Sequence, residues 1–155
     1  MTLNSVIKRI NVITSAHKQI RSFLHNVNIV EWLNGHTDQY PAAFLQDNSG
    51  NISTKGHATT LGFKLFLVDL VNVSGDTKAN ELDVQSDMLG VAQDLIAQFN
   101  RPENDWMLSP DNNVQQLVEG ENSLYAGVVV TFTIRYAFTQ NICSVPTTFD
   151  ISENN

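Results

Sequence analysis

Two stretches of the chain carry apolar residues at the three- and four-residue spacing of an amphipathic helix. The first, residues 3–27, keeps this spacing through eight positions: Leu3, Val6, Ile10, Ile13, His17, Ile20, Leu24 and Val27. The second, residues 80–99, has an apolar stripe of its own and begins with acidic side chains, which the helix dipole favours there. We therefore predict one helix that ends by Asn26 or Asn28, and another that Asn100-Arg101-Pro102 stops.

Four other stretches have the alternating or continuous apolar pattern of β-strands. They are residues 39–46, 59–72, 113–119 and 124–138. Because Pro41 cannot donate a backbone hydrogen bond, we expect either that it begins the first strand or that this strand lies at a sheet edge. The polar run 47–58 opens with a strong turn signal and is expected to form a long hairpin loop, whose last residues are either loop or hairpin arms. The strand at 59–72 is apolar on both faces, so it needs a cover on each side.

The predicted order is helix, strand, strand, helix, strand, strand. The economical packing for this order is an α+β domain, a four-stranded antiparallel sheet with both helices on one face. We assign the domain to residues 1–138 and expect a short turn at 29–33 to fold Trp32 against the core. Residues 139–155 lose all periodicity, so we expect them to form an extended C-terminal arm.

The composition is that of one globular domain. The chain has 155 residues, 42% of them hydrophobic, which suits a single domain with a sizeable core. One cysteine, Cys143, excludes an internal disulfide and a four-cysteine zinc site. No segment has the pattern of a secretory signal or a membrane span, so we expect a soluble protein that is made in a cytoplasm and does not bind membranes.

The charge of the chain is distributed unevenly. The net charge is −7, but residues 1–35 hold four basic side chains against one acidic side chain. Residues 36–155 hold five basic and fifteen acidic side chains. Binding to nucleic acid normally requires a basic stripe that neutralises phosphates, and nothing after residue 35 supplies one.

The residues that enzymes use do not form a recognisable catalytic pattern. The chain lacks phosphate-loop and dinucleotide fingerprints. His36 and Asp38, with His57, are candidates for a metal site or a small hydrolase, and we prefer to interpret them as exposed loop residues. Cys143 has no basic neighbour in sequence and is interpreted as a small buried residue.

Two polar features lie on the predicted helices. His17 lies on the apolar stripe of the first helix and is expected to be a partly buried, hydrogen-bonded residue at a packing seam. Asp83, Asp87 and Asp94 share the second helix at spacings of four and seven residues. We expect them on a solvated or channel-facing side rather than around a cation. The sequence therefore predicts no cofactor, no metal and no enzymatic activity.

The order of elements and several segments resemble the small neck and tail proteins of tailed bacteriophages, the tail terminator and tail-completion proteins and related rings beneath the portal. The segments are Ser5 to Asn26, Tyr40-Pro41-Ala42-Ala43-Phe44 with the strand to Leu70, and the helix Gln85 to Leu95. The run Gly127 to Phe138, followed by Cys143-Ser144-Val145-Pro146, is also similar to structural proteins of crAss-like gut phages. The resemblance covers roughly residues 3–147.

This resemblance implies a structural virion protein and not an enzyme. Its subunits would form a closed ring of six or twelve copies in the neck or tail, joined to the portal or to a neighbouring ring. Genomic DNA would pass through the lumen without specific binding, which agrees with the acidic charge after residue 35. The protein would assemble in the host cytoplasm and reside in the virion.

The strand that is apolar on both faces supplies the candidate subunit interface. We expect six residues in that interface: Phe66, Val68, Leu70 and Val129 from the sheet, and Ile142 and Phe149 from the arm. The loop 47–58 is expected to reach a neighbour or the lumen. An alternative hypothesis is a small cellular adaptor that uses the same sheet face for one partner. A third is the small hydrolase built on His36, Asp38 and His57.

Overall fold

The computed structural model describes residues 1–33, 39–53, 55–74, 77–78, 80–117 and 124–138. Within these ranges the chain is α+β, as predicted, with three helices, a six-stranded mixed sheet and a two-stranded ribbon. The helices are α1 Leu3–Ser15, α2 Ile29–Leu33 and α3 Glu81–Phe99. The strands of the main sheet are β1 Ser22–His25, β2 Ala42–Ser53, β3 Ala58–Leu70, β6 Met107–Leu108, β7 Asn113–Leu117 and β8 Tyr125–Ala137. The ribbon consists of β4 Val73–Ser74 and β5 Thr77–Lys78.

The long antiparallel pair β3 and β8 forms the centre of the sheet. The two strands stay in register from Ala58 opposite Ala137 to Leu70 opposite Tyr125. On one side the order continues through β2 to β1, and β1 runs parallel to β2. On the other side, β6 and β7 pair with successive parts of the same edge of β8.

The long first helix is the largest error in the predicted order. It ends at Ser15, and the chain turns before entering β1. Backbone pairing with the next strand takes over, since Arg21 donates its N–H to the carbonyl of Pro41 and Asn26 donates its N–H to the carbonyl of Leu45. Several residues after Arg21 are weak helix formers, and Asn26 adopts a left-handed conformation with φ 51°.

The predicted long hairpin loop is also wrong for most of its length. Residues 47–53 continue β2 and stay paired with β3, past an irregularity in register between Asp47 and Ser49. The polar composition that suggests a loop belongs instead to an exposed strand, whose residues 47–52 all face solvent. The described part of the connection between β2 and β3 is short and consists of Lys55, Gly56 and His57.

The remaining predicted elements are confirmed. α3, β7 and β8 lie within a residue or two of the predicted bounds, and Pro41 immediately precedes β2. The sheet nevertheless has six strands rather than four, because β1 and the two-residue β6 extend it at opposite edges. The proposed arm 139–155 lies outside the described residues.

Two apolar clusters lie on the two faces of the sheet. The larger cluster joins α1 and α3 to one face, so these two helices share a face as predicted. Its fully buried large side chains include Phe63 of β3, Phe99 of α3 and Phe132 of β8, and the rings of Phe99 and Phe132 stack at 5.3 Å. The smaller cluster joins α2 to the opposite face. β3 is therefore covered by helices on one side and in part on the other.

Side chains donate hydrogen bonds to two backbone carbonyls at the C-terminal end of α3. Asn104, which is 4% exposed, donates its amide group to the carbonyls of Gln98 and Phe99. Trp106 donates its indole N–H to the carbonyl of Phe99 at 2.7 Å. Arg9 of α1 donates to the Asn104 side-chain oxygen at 3.1 Å. Asn104 thus pairs carbonyls that the helix end would leave unpaired, and through its contact with Arg9 it also links α1 to the end of α3.

The close approach of β8 to β3 requires glycine at position 127. A Cβ atom there would overlap the backbone carbonyl of Leu67 and come within 3.0 Å of the Val68 Cα. We predict that Gly127→Ala lowers the free energy of unfolding by about 1–3 kcal/mol, because two backbones must separate to admit the methyl group.

Gly90 provides the matched control in a denaturant titration. A Cβ atom at this position in α3 meets nothing within 4 Å. Gly90→Ala should therefore raise the free energy of unfolding by about 0.5–1 kcal/mol, since alanine loses less conformational freedom in a helix. Equal effects of the two substitutions would contradict the register of β3 with β8.

Candidate functional site

The second face of the sheet is only partly covered by the chain itself. α2 and the segment before β2 place an aromatic group over it, in which Trp32 contacts the rings of Tyr40 at 5.6 Å and Phe44 at 5.0 Å. The Tyr40 hydroxyl donates to the carbonyl of Leu33 at 3.3 Å, which ties the end of α2 to the sheet. The prediction that Trp32 folds against the core is confirmed, because Trp32 packs on the second cluster.

Beyond this aromatic group lies a partly exposed apolar area, which we call the second-face patch. It consists of Phe66 and Leu70 of β3, Leu117 of β7 and Val129 of β8, all partly buried. Phe66 lies directly opposite Val129 in the antiparallel register, so their side chains share one face. The patch continues into a hollow of about 270 Å³ that Phe66 and Leu117 line together with Val27 and Ile29.

The structure divides the predicted interface residues into three groups. Phe66, Leu70 and Val129 reach solvent on the second face. Val68 is 0% exposed and packs inside the smaller cluster, so its side chain belongs to the chain's own core. Ile142 and Phe149 lie outside the described residues.

Sequence patterns did not place Leu117 and Val27 in this area. Val27 fits the helical spacing of the N-terminal stretch, which assigned it to the wrong element. Leu117 ends a strand whose other described side chains are exposed. Its place beside Phe66 follows from the register of β7 on β8, which pairs Leu117 with Gly127. Pairing register of this kind is not encoded in the local pattern of either strand.

Two polar groups near the start of β2 and the end of β3, the buried Tyr40 and the partly buried Asp69, have raised pKa values. Burial and, less strongly, the charge of Asp69 raise the pKa of Tyr40 to about 12, so its hydroxyl stays protonated and able to donate. The pKa of Asp69 is itself raised, first by burial and also by the charge of Asp87. Backbone hydrogen bonding from Leu70 and the charge of Arg21 oppose that rise.

The residues of the hydrolase hypothesis are not brought together by the described part of the chain. His57 lies at the tip of the β2–β3 hairpin with φ 42°, in a hollow of about 580 Å³ that Trp106, Arg135 and Tyr136 also line. His36 and Asp38 lie outside the described residues, as does Cys143. No group of three histidine, cysteine or carboxylate side chains within metal-binding reach occurs among the residues that the structure covers.

His17 occupies the packing seam that the sequence predicts for it. Its side chain is 16% exposed, and its Nε2 lies 3.3 Å from a carboxylate oxygen of Asp94 on α3. Asp94 therefore contacts the turn that follows α1, and Asp83, Asp87 and Asp94 of α3 are all exposed. The expectation of a solvated acidic side of this helix is confirmed for all three residues.

A second polar cluster joins the end of β1 to the middle of β2. The Asp47 carboxylate lies 3.1 Å from Nε2 of His25 and accepts the amide N–H of Asn26 at 2.9 Å. Asn26 in turn accepts the backbone N–H of Asp47 at 3.2 Å. Burial works to raise the pKa of Asp47, but the hydrogen bonds from His25 and Asn26 and the charge of His25 outweigh it and lower the pKa.

Comparison with known proteins adds no family assignment. No protein-family model matches the chain, and no curated protein matches it. Among the described residues, no helix is long and apolar enough to cross a membrane. The candidate site therefore rests on the geometry of the second face.

We predict that the contribution of Asp47 to stability depends on pH in a defined direction. A carboxylate whose pKa is lowered on folding stabilises the native state above its unfolded value, ordinarily 3.8, and loses that effect as the pH falls through the folded value. Asp47→Asn should therefore destabilise the protein at pH 6 and do so less at pH 3, measured by urea titration. Asp111→Asn, at an exposed site, is the control. A difference that is the same at both pH values would contradict the assignment.

Proposed function

We propose that the chain is a structural subunit of a closed ring in the neck or tail of a tailed bacteriophage. In this proposal, six or twelve copies form the ring, which contacts the portal or a neighbouring ring and leaves a lumen for genomic DNA. The subunit performs no catalysis and acts through its surfaces in the virion, after assembly in the host cytoplasm. The resemblance of the sequence to phage neck and tail proteins supplies this reading, and the second-face patch supplies its physical support.

The second-face patch is the observation that carries the proposal. Aromatic and aliphatic side chains on a sheet face are normally buried, and Phe66, Leu70 and Val129 are only partly so in a single chain. Contact with another copy would bury the remainder of each side chain. A surface of this kind that meets a different surface of the next copy generates a ring when the rotation closes.

The charge distribution supports the passage of DNA. From residue 36 onward the chain carries ten more carboxylates than basic groups. A lumen lined by such subunits would repel the phosphate backbone and would not retain a duplex by counterion release. A negatively charged lumen therefore favours movement of the duplex through the ring over its retention.

The test of the ring uses Phe66→Asp. A carboxylate on the second-face patch should prevent burial against a neighbour, because desolvating an unpaired charge is costly. We expect the wild-type protein to form rings in negative-stain images and the variant to lose them, with light scattering showing species of one or two chains. Circular dichroism should show that the variant is still folded.

Two further variants make this test specific. Met107→Asp places the same charge at a side chain that is 66% exposed on β6, opposite Arg135 and away from the patch, and should leave the rings intact. Leu117→Lys, on the edge strand β7, should disrupt the rings as Phe66→Asp does. Rings that persist in both patch variants would contradict the proposed interface.

A cellular adaptor remains the second candidate, and one observation favours it. α2 and its aromatic neighbours already cover part of the second face, and the adjoining hollow of about 270 Å³ suits one or two side chains of a single partner. A stable monomer or dimer that never forms rings would support this candidate over the first.

A further inference from the structure

The outer side of the helix layer carries a groove that the proposed ring contact does not use. It lies between α1 and the C-terminal half of α3 and has a volume of about 670 Å³. Its walls include the apolar side chains of Val12, Ile13 and Leu95, and Val12 is 60% exposed. Arg9 and Lys18 also line it. Carboxylates are absent from its lining, although Asp94 lies next to it and contacts the lining residue His17 at 3.3 Å.

The N-terminal half of α3 has complementary properties. Leu82 is 73% exposed and Leu89 is 38% exposed, and seven residues of helix place them on one stripe about 10 Å apart. Asp83 and Asp87, both exposed, form a neighbouring stripe four residues apart. Among the described residues, neither aspartate forms an ion pair. This half of the helix is thus apolar along one side and acidic along the other.

These two surfaces lie side by side on one molecule. α1 and α3 both pack one side onto the sheet, so their exposed sides form a single outer surface. One part of that surface is a basic, apolar groove, and the other is an acidic ridge with two exposed leucines. A half-turn about an axis that lies in the plane of this surface, between the groove and the ridge, places the ridge of one copy over the groove of another, and the reverse.

We propose that the helix layer is a two-fold interface, in which the acidic N-terminal half of α3 of a second copy occupies the groove between α1 and α3. Leu82 and Leu89 of each copy fill the apolar floor beside Val12 of the other. Asp83 and Asp87 face Arg9 and Lys18 across the contact. Both halves of the contact are the same, so the partner is a second copy of this chain and no other segment is needed.

Three local features agree with this arrangement. Gly90 lies between the leucine and aspartate stripes, and the space above it is empty in the single chain, which allows another helix to approach closely. The ridge also lies within electrostatic reach of a third carboxylate, since burial and, less strongly, the charge of Asp87 raise the pKa of Asp69. A neighbouring cation would relieve that repulsion. Arg9 keeps its contact with Asn104 through Nε, which leaves the rest of its guanidinium group available.

This inference goes beyond the proposed ring and does not depend on it. The ring contact lies on the second face of the sheet, and the helix layer covers the opposite face. The test is therefore made on the full chain carrying Phe66→Asp, in which a ring contact through the sheet is disabled. The wild-type chain is measured beside it, so that the loss of rings and the loss of the two-fold dimer can be distinguished.

The measurement is the dimer dissociation constant by sedimentation in low salt. We expect the Phe66→Asp chain to dimerise, and expect two charge reversals to weaken the dimer at least 10-fold each. One reversal is Arg9→Glu with Lys18→Glu, and the other is Asp83→Lys with Asp87→Lys. Placing both reversals in one chain should restore the dimer, because opposite charges again face each other. An equimolar mixture of the two reversed chains should also restore it.

A matched control separates this contact from general charge effects. Lys55→Glu with Lys64→Glu makes the same change in net charge as the first reversal, at exposed positions away from the helix layer. It should leave the dissociation constant unchanged. The dimer should also weaken as the salt concentration rises.

Two outcomes would overturn the inference. A Phe66→Asp chain that is monomeric at every concentration up to about 100 µM has no two-fold contact of useful strength. A dimer that neither reversal weakens, or that the combined reversal fails to restore, has its contact elsewhere on the molecule. Val12→Asp provides a check that does not alter the charged residues, since it should also separate the dimer.

Discussion

The structure depends on one constraint, the burial of a central strand that is apolar on both faces. β3 lies between β2 and β8 and places Phe63, Leu65 and Leu67 toward one side and Phe66, Val68 and Leu70 toward the other. α1 and α3 cover the first side completely. α2, a helix of only five residues, covers the second side in part. The uncovered part is the second-face patch, so the candidate site follows directly from the arrangement that buries the core.

The sequence predicted the elements whose patterns are long and regular. α3 has an apolar stripe bounded by acidic residues and by Pro102, and β8 alternates over thirteen residues, so both were placed correctly. The N-terminal helix was extended too far because Ile20 and Leu24 fit a helical spacing by coincidence. Their actual environment depends on backbone pairing with a strand about twenty residues later, which no local pattern encodes. The polar half of β2 was predicted to be a loop because it lacks apolar residues. An exposed strand does not need them, so composition alone could not reveal this strand.

The candidate site was predictable only in part. Phe66, Leu70 and Val129 were expected at a surface because their strands have more apolar positions than one layer of helices can cover. Val68 lies in the same alternation but is buried beneath the aromatic group around Trp32. The position of α2 decides which side chains of this face are buried and which remain partly exposed. Leu117 joins the patch through strand register alone. The uneven distribution of charge, by contrast, is evident from the sequence. The fold places the basic side chains of the N-terminal segment on α1 and on the turn that follows it.

The central claim is that the second face of the sheet is completed by other copies of the chain. The most direct measurement is the mass of the purified wild-type protein in solution by light scattering, over a range of concentrations, with negative-stain images of the same sample. We expect a discrete species of six or twelve chains of 17.2 kDa, seen as closed rings. A single monomeric or dimeric species at every concentration, with no rings in the images, would contradict it.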